Sequence, residues 1–258
     1  IKHLFNIEGL VFVLSLDKEQ LGHSVKAVYG DGIDSDGYLR RFIDFEYRLS
    51  QPELGKYIES LFASLQLEEF FSPRKQVREL QYEGEHLKNV LIMLSTGLGL
   101  SLREIEQILA SINIAVRTAA EREYVFPALL VFLMMAREFE PKLYQRYVFG
   151  GGDESEMIDY LYSIVPEDKR SDSFECALVE GFLIAAKKDR YREVKSDAVF
   201  RHEKIYDDPD IEYKDKKYSE TVLNVVARPV GIGQGVSLKP IVERIEWLRR
   251  FEFLNLDD

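Results

Sequence analysis

Residues 10–21 read LVFVLSLDKEQL. Of the first seven, all but Ser15 are large and apolar, with β-branched valines and an aromatic ring among them. This pattern predicts a short strand buried on both faces, the kind found inside a parallel sheet. Asp17 and Gln20 then form a D-x-x-Q capping pattern, which predicts a helix running from there to about Tyr29. Asp17 therefore has two compatible readings. It is the cap of that helix, or it is a polar group placed at the end of a buried strand for chemistry.

Working outward, GDGIDSDG at 30–37 holds three glycines and three aspartates and reads as a loop. YLRRFI at 38–43 suggests one or two helical turns. DFEYRLS at 44–50 alternates apolar and polar residues as a strand does. Pro52 sits where a helix can begin, and ELGKYIESLFASLQL carries apolar residues at helical spacing to Leu67. Helices are expected at 83–97, 101–119, 126–146, 153–164, 172–188, 216–226 and 237–253. Loops are expected at 68–80 and 189–215, and turns at GGGDES from 150 and VGIGQGVS from 230. No repeat is visible at 20–50 residues.

The expected fold class is mainly α with a small N-terminal α/β remnant. Three regions follow: 1–52, 53–120 and 121–258.

The chain has 258 residues, 46% of them hydrophobic, which is enough for a substantial core. A net charge of −11 opposes contact with nucleic-acid phosphates and anionic lipid, so neither partner is expected. Cys176 is the single cysteine, which excludes an internal disulfide and a cysteine zinc site and points to a reducing, cytoplasmic setting. His3, His23, His86 and His202 are scattered, with no metal-ligand spacing. YVFPALLVFLMMA at 124–136 is the longest apolar block. Thirteen residues are too few to cross a bilayer, so a buried core helix is expected.

The order of parts over residues 8–52, EGLVFVLSLDKEQLGHSVKAVYGDGIDSDGYLRRFIDFEYRLSQP, resembles the KAP family of P-loop NTPases. The resemblance is close over these 45 residues and weaker to about residue 120. It implies ATP and Mg²⁺ in a full-length parent. A phosphate-cradling loop needs G-x-x-x-x-G-K-[ST], and the sequence contains none. LGKYIES at 54–60 lacks the first glycine and the hydroxyl after the lysine. The paired acids of a Walker B strand are also missing. In the family both motifs precede the strand that resembles 10–16. IKHLFNIEG at 1–9 reads as the tail of a helix and a turn. The chain is therefore expected to be the C-terminal part of a longer NTPase. Alone it should bind no cofactor and hydrolyse no ATP.

The resemblance also implies roles for four residues. Asp17 takes a sensor-1-like position. Arg40 and Arg41, just before Phe42, resemble the site of an arginine finger acting on a neighbouring subunit; the family often has a lysine near here. Such a finger stabilises charge on a transferring phosphoryl group. Arg103, inside GLSLREIEQILASIN at 99–113, resembles a sensor-2 arginine on a lid helix. Ser101 and Glu104 make an S-x-x-E capping box there. A cation in that first turn is electrostatically unfavourable unless an anion is near. Each of these residues also has a plain reading as a cap or a solvated charge.

The implied partners are the parent's own N-terminal NTPase segment and neighbouring subunits. Bacterial members of such families are linked with assembly, signalling and anti-phage defence.

Other readings stay open. Residues 94–119 also have the shape of a helix-turn-helix, but the second helix sets Arg103 and Arg117 against Glu104 and Glu106, a poor DNA face. Residues 187–218, dense in both charges and tyrosines, read as a solvated loop or a short strand pair, or as a protein-docking surface. Trp247 reads as packing a terminal helix. The alternative to an ATPase fragment is a non-enzymatic helical module that binds a protein partner.

Overall fold

The computed structural model describes residues 11–41, 43, 45–47, 52–187, 197–227 and 236–252, the last four by backbone alone. The helix tail expected at 1–9 lies outside them. So do Phe42, residues 48–50 of the second expected strand, and most of the turn from 230. The chain divides into two compact units, Ile1–Gln51 and Pro52–Asp258.

The first unit contains α1 (Lys18–Tyr29) and α2 (Ser35–Leu39). Asp17 caps α1 and Asp34 caps α2, each with a carboxylate oxygen accepting N–H groups of the first turn. Gly30 ends α1 at φ 95°, a conformation that glycine adopts without Cβ strain. Val25 and Leu39 are buried between the two helices. Lys18 bridges Glu46 at 2.8 Å and Asp36 at 3.6 Å.

The mainly α fold is as expected, and the small α/β remnant is not shown. No strand is present among the described residues, neither at 11–16 nor at 45–47. Val11 and Val13 are each 91% exposed. A strand meant for the interior of a parallel sheet exists only with neighbours to take its N–H and C=O groups. No described segment supplies one.

All the regular structure among the second unit's described residues is helical. Its helices are α3 (Leu54–Ser64), α4 (Leu67–Arg74), α5 (Glu83–Leu98), α6 (Leu102–Arg117), α7 (Pro127–Phe139), α8 (Pro141–Phe149), α9 (Glu154–Ile164), α10 (Glu167–Arg170), α11 (Phe174–Lys187), α12 (Asp197–Asp207), α13 (Tyr213–Ala227) and α14 (Leu238–Glu252). The apolar block at 124–136 is the core helix its composition requires. Every residue from Pro127 to Ala136 is buried in α7, and α5, α6, α8, α11 and α14 pack on it. One core runs from Ile58 to Leu248, on both sides of residue 120.

Three local readings change. The helix expected at 126–146 is two helices. Pro141 lacks the N–H needed to continue the ladder and instead starts α8. The loop expected at 68–80 includes most of α4. The loop or strand pair expected at 189–215 contains all of α12 and the start of α13 among its described residues. Buried Ala198 and His202 on α12, and Tyr218, Ser219 and Val222 on α13, supply the inward faces that the dense surface charge hides in the sequence.

Candidate functional site

Asp17 lies at φ −84°, ψ 108°, outside the helix it starts. Its Oδ1 accepts the N–H groups of Glu19 and Gln20, both at 3.0 Å. Oδ2 has no partner among the described residues. The capping reading is therefore realised with one oxygen, and the exposed second oxygen stays available.

Arg40 is the C-cap of α2 and Arg41 follows it. Both are exposed, and neither guanidinium has an acidic partner among the described residues. Arg41 is close enough to Tyr38 for its charge to oppose the rise in that hydroxyl's pKa, a rise caused first by the hydrogen bond to Tyr29. The Tyr29 and Tyr38 rings lie 5.3 Å apart with their hydroxyls at 3.2 Å, so the residue pair before Arg40 is held firmly to the end of α1.

Arg103 belongs to the second unit. α5 closes at Gly99, in the left-handed conformation at φ 65°, and Ser101 opens α6 two residues later. The capping box is complete. Ser101 Oγ accepts Glu104 N–H at 3.3 Å, and Glu104 Oε2 accepts Ser101 N–H at 2.8 Å. The Ser101 hydroxyl and N–H hold the Glu104 carboxyl below its usual range. Glu104 is thus committed to the cap. Arg103, exposed in the same first turn, has no ion pair among the described residues.

Two buried polar clusters in the second unit were not anticipated from the sequence. In the first, Arg74 donates from Nε to Glu83 Oε2 at 2.6 Å and from its terminal nitrogens to the carbonyls of Ala120, Glu121 and Glu123. Glu83 Oε1 accepts Val125 N–H at 2.7 Å, and Arg244 pairs with Glu123. The second centres on Glu180, which is fully buried. Its oxygens accept from Tyr218 at 2.6 Å and Tyr162 at 2.8 Å and meet His202 Nε2 at 2.8 Å. His202 Nδ1 lies 3.0 Å from Ser219 Oγ. The available signal was Glu180 itself, one charge inside the apolar run CALVEGFLIAA at 176–186.

The Ser219–His202–Glu180 order resembles a nucleophile, base and orienting acid. Ser219 is 1% exposed and His202 2%, so no substrate carbonyl can reach the hydroxyl. The cluster instead ties α9, α12 and α13 to α11. Burial pushes the Glu180 carboxyl upward. The hydrogen bond and charge of His202, with the hydroxyls of Tyr218 and Tyr162, outweigh it and hold the group below its ordinary value.

No group of three or more His, Cys, Asp or Glu side chains suited to a metal occurs among the described residues. A surface hollow of about 550 Å³ is lined by Glu167, Asp168, Ser171, Glu212, Lys214 and Asp215, a field that repels phosphate. The chain fits a nucleotide only in part. It offers a carboxylate oxygen and guanidinium groups that have no partner among the described residues, and its sequence has no phosphate-cradling loop.

No helix among the described residues is long and apolar enough to cross a membrane. No curated protein and no solved structure gives a significant match to the chain. The family model of the KAP family P-loop domain matches residues 1–119. The likeness read from residues 8–52 therefore holds over the whole first unit and on through α6.

Proposed function

We propose that residues 1–119, as a stretch of the KAP family P-loop domain, supply the closing part of an ATP-hydrolysing unit whose phosphate-holding loop lies in another segment. The family match carries this reading. ATP and Mg²⁺, when bound by the whole protein, supply the phosphoryl-transfer chemistry. Within this proposal residues 1–52 end the NTPase core, 53–120 form a lid-like region and 121–258 a helical region that engages a protein partner.

Each candidate residue has a part in the proposal. Asp17 caps α1 with Oδ1 and presents Oδ2 toward the nucleotide site, as sensor 1 does. Arg41, with Arg40 beside it, acts on a nucleotide held by a neighbouring subunit. A planar, permanently charged guanidinium without an acidic partner among the described residues suits that task. Arg103 uses the first turn of α6, where helix dipole and guanidinium both favour an anion. Oligomerisation, a cytoplasmic setting and a role in anti-phage signalling belong to the same proposal.

The test is made in the full-length protein. Arg41→Ala should leave ATP binding intact and lower hydrolysis by roughly 10³-fold, the scale of a lost arginine finger. Lost binding with hydrolysis per bound nucleotide unchanged contradicts the finger role. Purified residues 1–258 should show no ATP hydrolysis, and a measurable rate that survives repurification contradicts the reading. A second reading, a protein-binding helical module without catalysis, is favoured by one observation: the second unit has a core of its own. Normal hydrolysis by full-length proteins altered at Asp17, Arg41 and Arg103 together would support it.

A further inference from the structure

We infer that α14 is a strap, held across α6 and α7 by Arg244 and able to detach while the rest of the second unit stays folded. The turn from Thr118 to Phe126 is pinned from one side by Arg74 and Glu83, as described above. From the other side it is held by Arg244 of α14, whose Nη2 pairs with Glu123 Oε1. Glu123 Oε2 in turn accepts Ala120 N–H at 3.1 Å. A second polar tie lies two residues further along α14. Glu246 Oε1 accepts from Tyr144 at 3.0 Å and lies 3.8 Å from Arg137 Nε. Ile241, Ile245 and Leu248 give α14 its apolar seat, while Lys239 and Glu243 face solvent.

The Arg244 contact is incomplete. The residue is 7% exposed, yet its buried Nη1 has no hydrogen-bond partner among the described residues. Burying a guanidinium costs desolvation that only full pairing returns, so this tie holds α14 less strongly than a fully satisfied one would. The turn it grips is itself strained. Phe126 is left-handed at φ 49°, immediately before Pro127, where a non-glycine residue is disfavoured twice over. A poorly satisfied tie on a strained turn is the part of the unit that opens first. Because α6 carries Arg103, the strap also gives the C-terminal region a hold on that helix; this consequence rests on the reading above.

Trp247, the sole tryptophan, lies on α14 and is 38% exposed, so its fluorescence reports the strap directly. Urea unfolding of the whole 258-residue chain should show the fluorescence transition ahead of the far-UV circular dichroism transition. Arg244→Met should lower the fluorescence midpoint by roughly 1 M and leave the main dichroism midpoint in place. Leu248→Ala, which shortens the apolar seat without touching a charge, should do the same. Coincident transitions in the unaltered chain, or equal shifts of both signals in either variant, overturn the strap. No nucleotide is involved, so the outcome is independent of the ATPase reading.

Discussion

Glycine 181 shows how much one side chain decides. A Cβ there would lie 2.7 Å from Val225 Cβ and 3.2 Å from the Val222 carbonyl. The close approach of α11 and α13 depends on its absence, and it brings Tyr218 and Ser219 into reach of the Glu180 cluster. Gly181→Ala should cost roughly 1–3 kcal/mol by overpacking, read as a lower midpoint in thermal or urea unfolding. Glu180 makes a prediction in pH. Its folded pKa is depressed below the ordinary 4.5, so its contribution is full above that value and is lost as pH falls through the folded one. Glu180→Gln should lower stability at pH 7 by roughly 2–3 kcal/mol and flatten the loss of stability below about pH 4.5. An unchanged acid limb would remove Glu180 from that role. At this scale the sequence was legible where a residue acts on its own neighbours. The Asp17 cap and the Ser101–Glu104 box follow from spacing alone. The Glu180 and Arg74 clusters join residues far apart in the chain, and no local pattern announces such pairings.

Among the elements, the long apolar block was readable because a helix buried on all sides needs no periodicity, only length and apolar content. The break at Pro141 was passed over in the expected helix at 126–146, although proline cannot donate the N–H that a continuous helix requires. Residues 197–227 were harder. Their charges sit on outward faces and outnumber the few inward residues that make α12 and α13 helices of the core. The 11–16 segment is the opposite case, in which local pattern and realised structure diverge because the missing partner is non-local. Its exposed valines and leucines form an apolar stretch that joins no strand among the described residues, a usual origin of edge-to-edge association. Leu14→Lys should therefore raise the solubility of the 258-residue chain and reduce its concentration-dependent light scattering. Scattering unaffected by the substitution would show that this segment is not the sticky surface.

For the whole molecule, two units carry different kinds of information. The first is small, has few buried apolar residues among those described and lies wholly within the family match. The second has a complete helical core, and the family match reaches into it only through α6. At the candidate site, family-like order and spacing mark Asp17, Arg40, Arg41 and Arg103, whose roles stand as the proposal above. Their chemical partners were not legible, since a phosphate-holding loop is absent from the sequence and a trans-acting arginine works on another subunit. The central claim is that this chain completes a nucleotide site it does not itself hold. It is tested most directly by mixing two inactive full-length proteins, one carrying Arg41→Ala and one altered in its own phosphate-holding loop. The account predicts that the mixture regains part of the lost ATP hydrolysis, because intact Arg41 from one subunit meets intact nucleotide machinery in the other. A mixture as inactive as either protein alone, with mixed oligomers demonstrably formed, would contradict it.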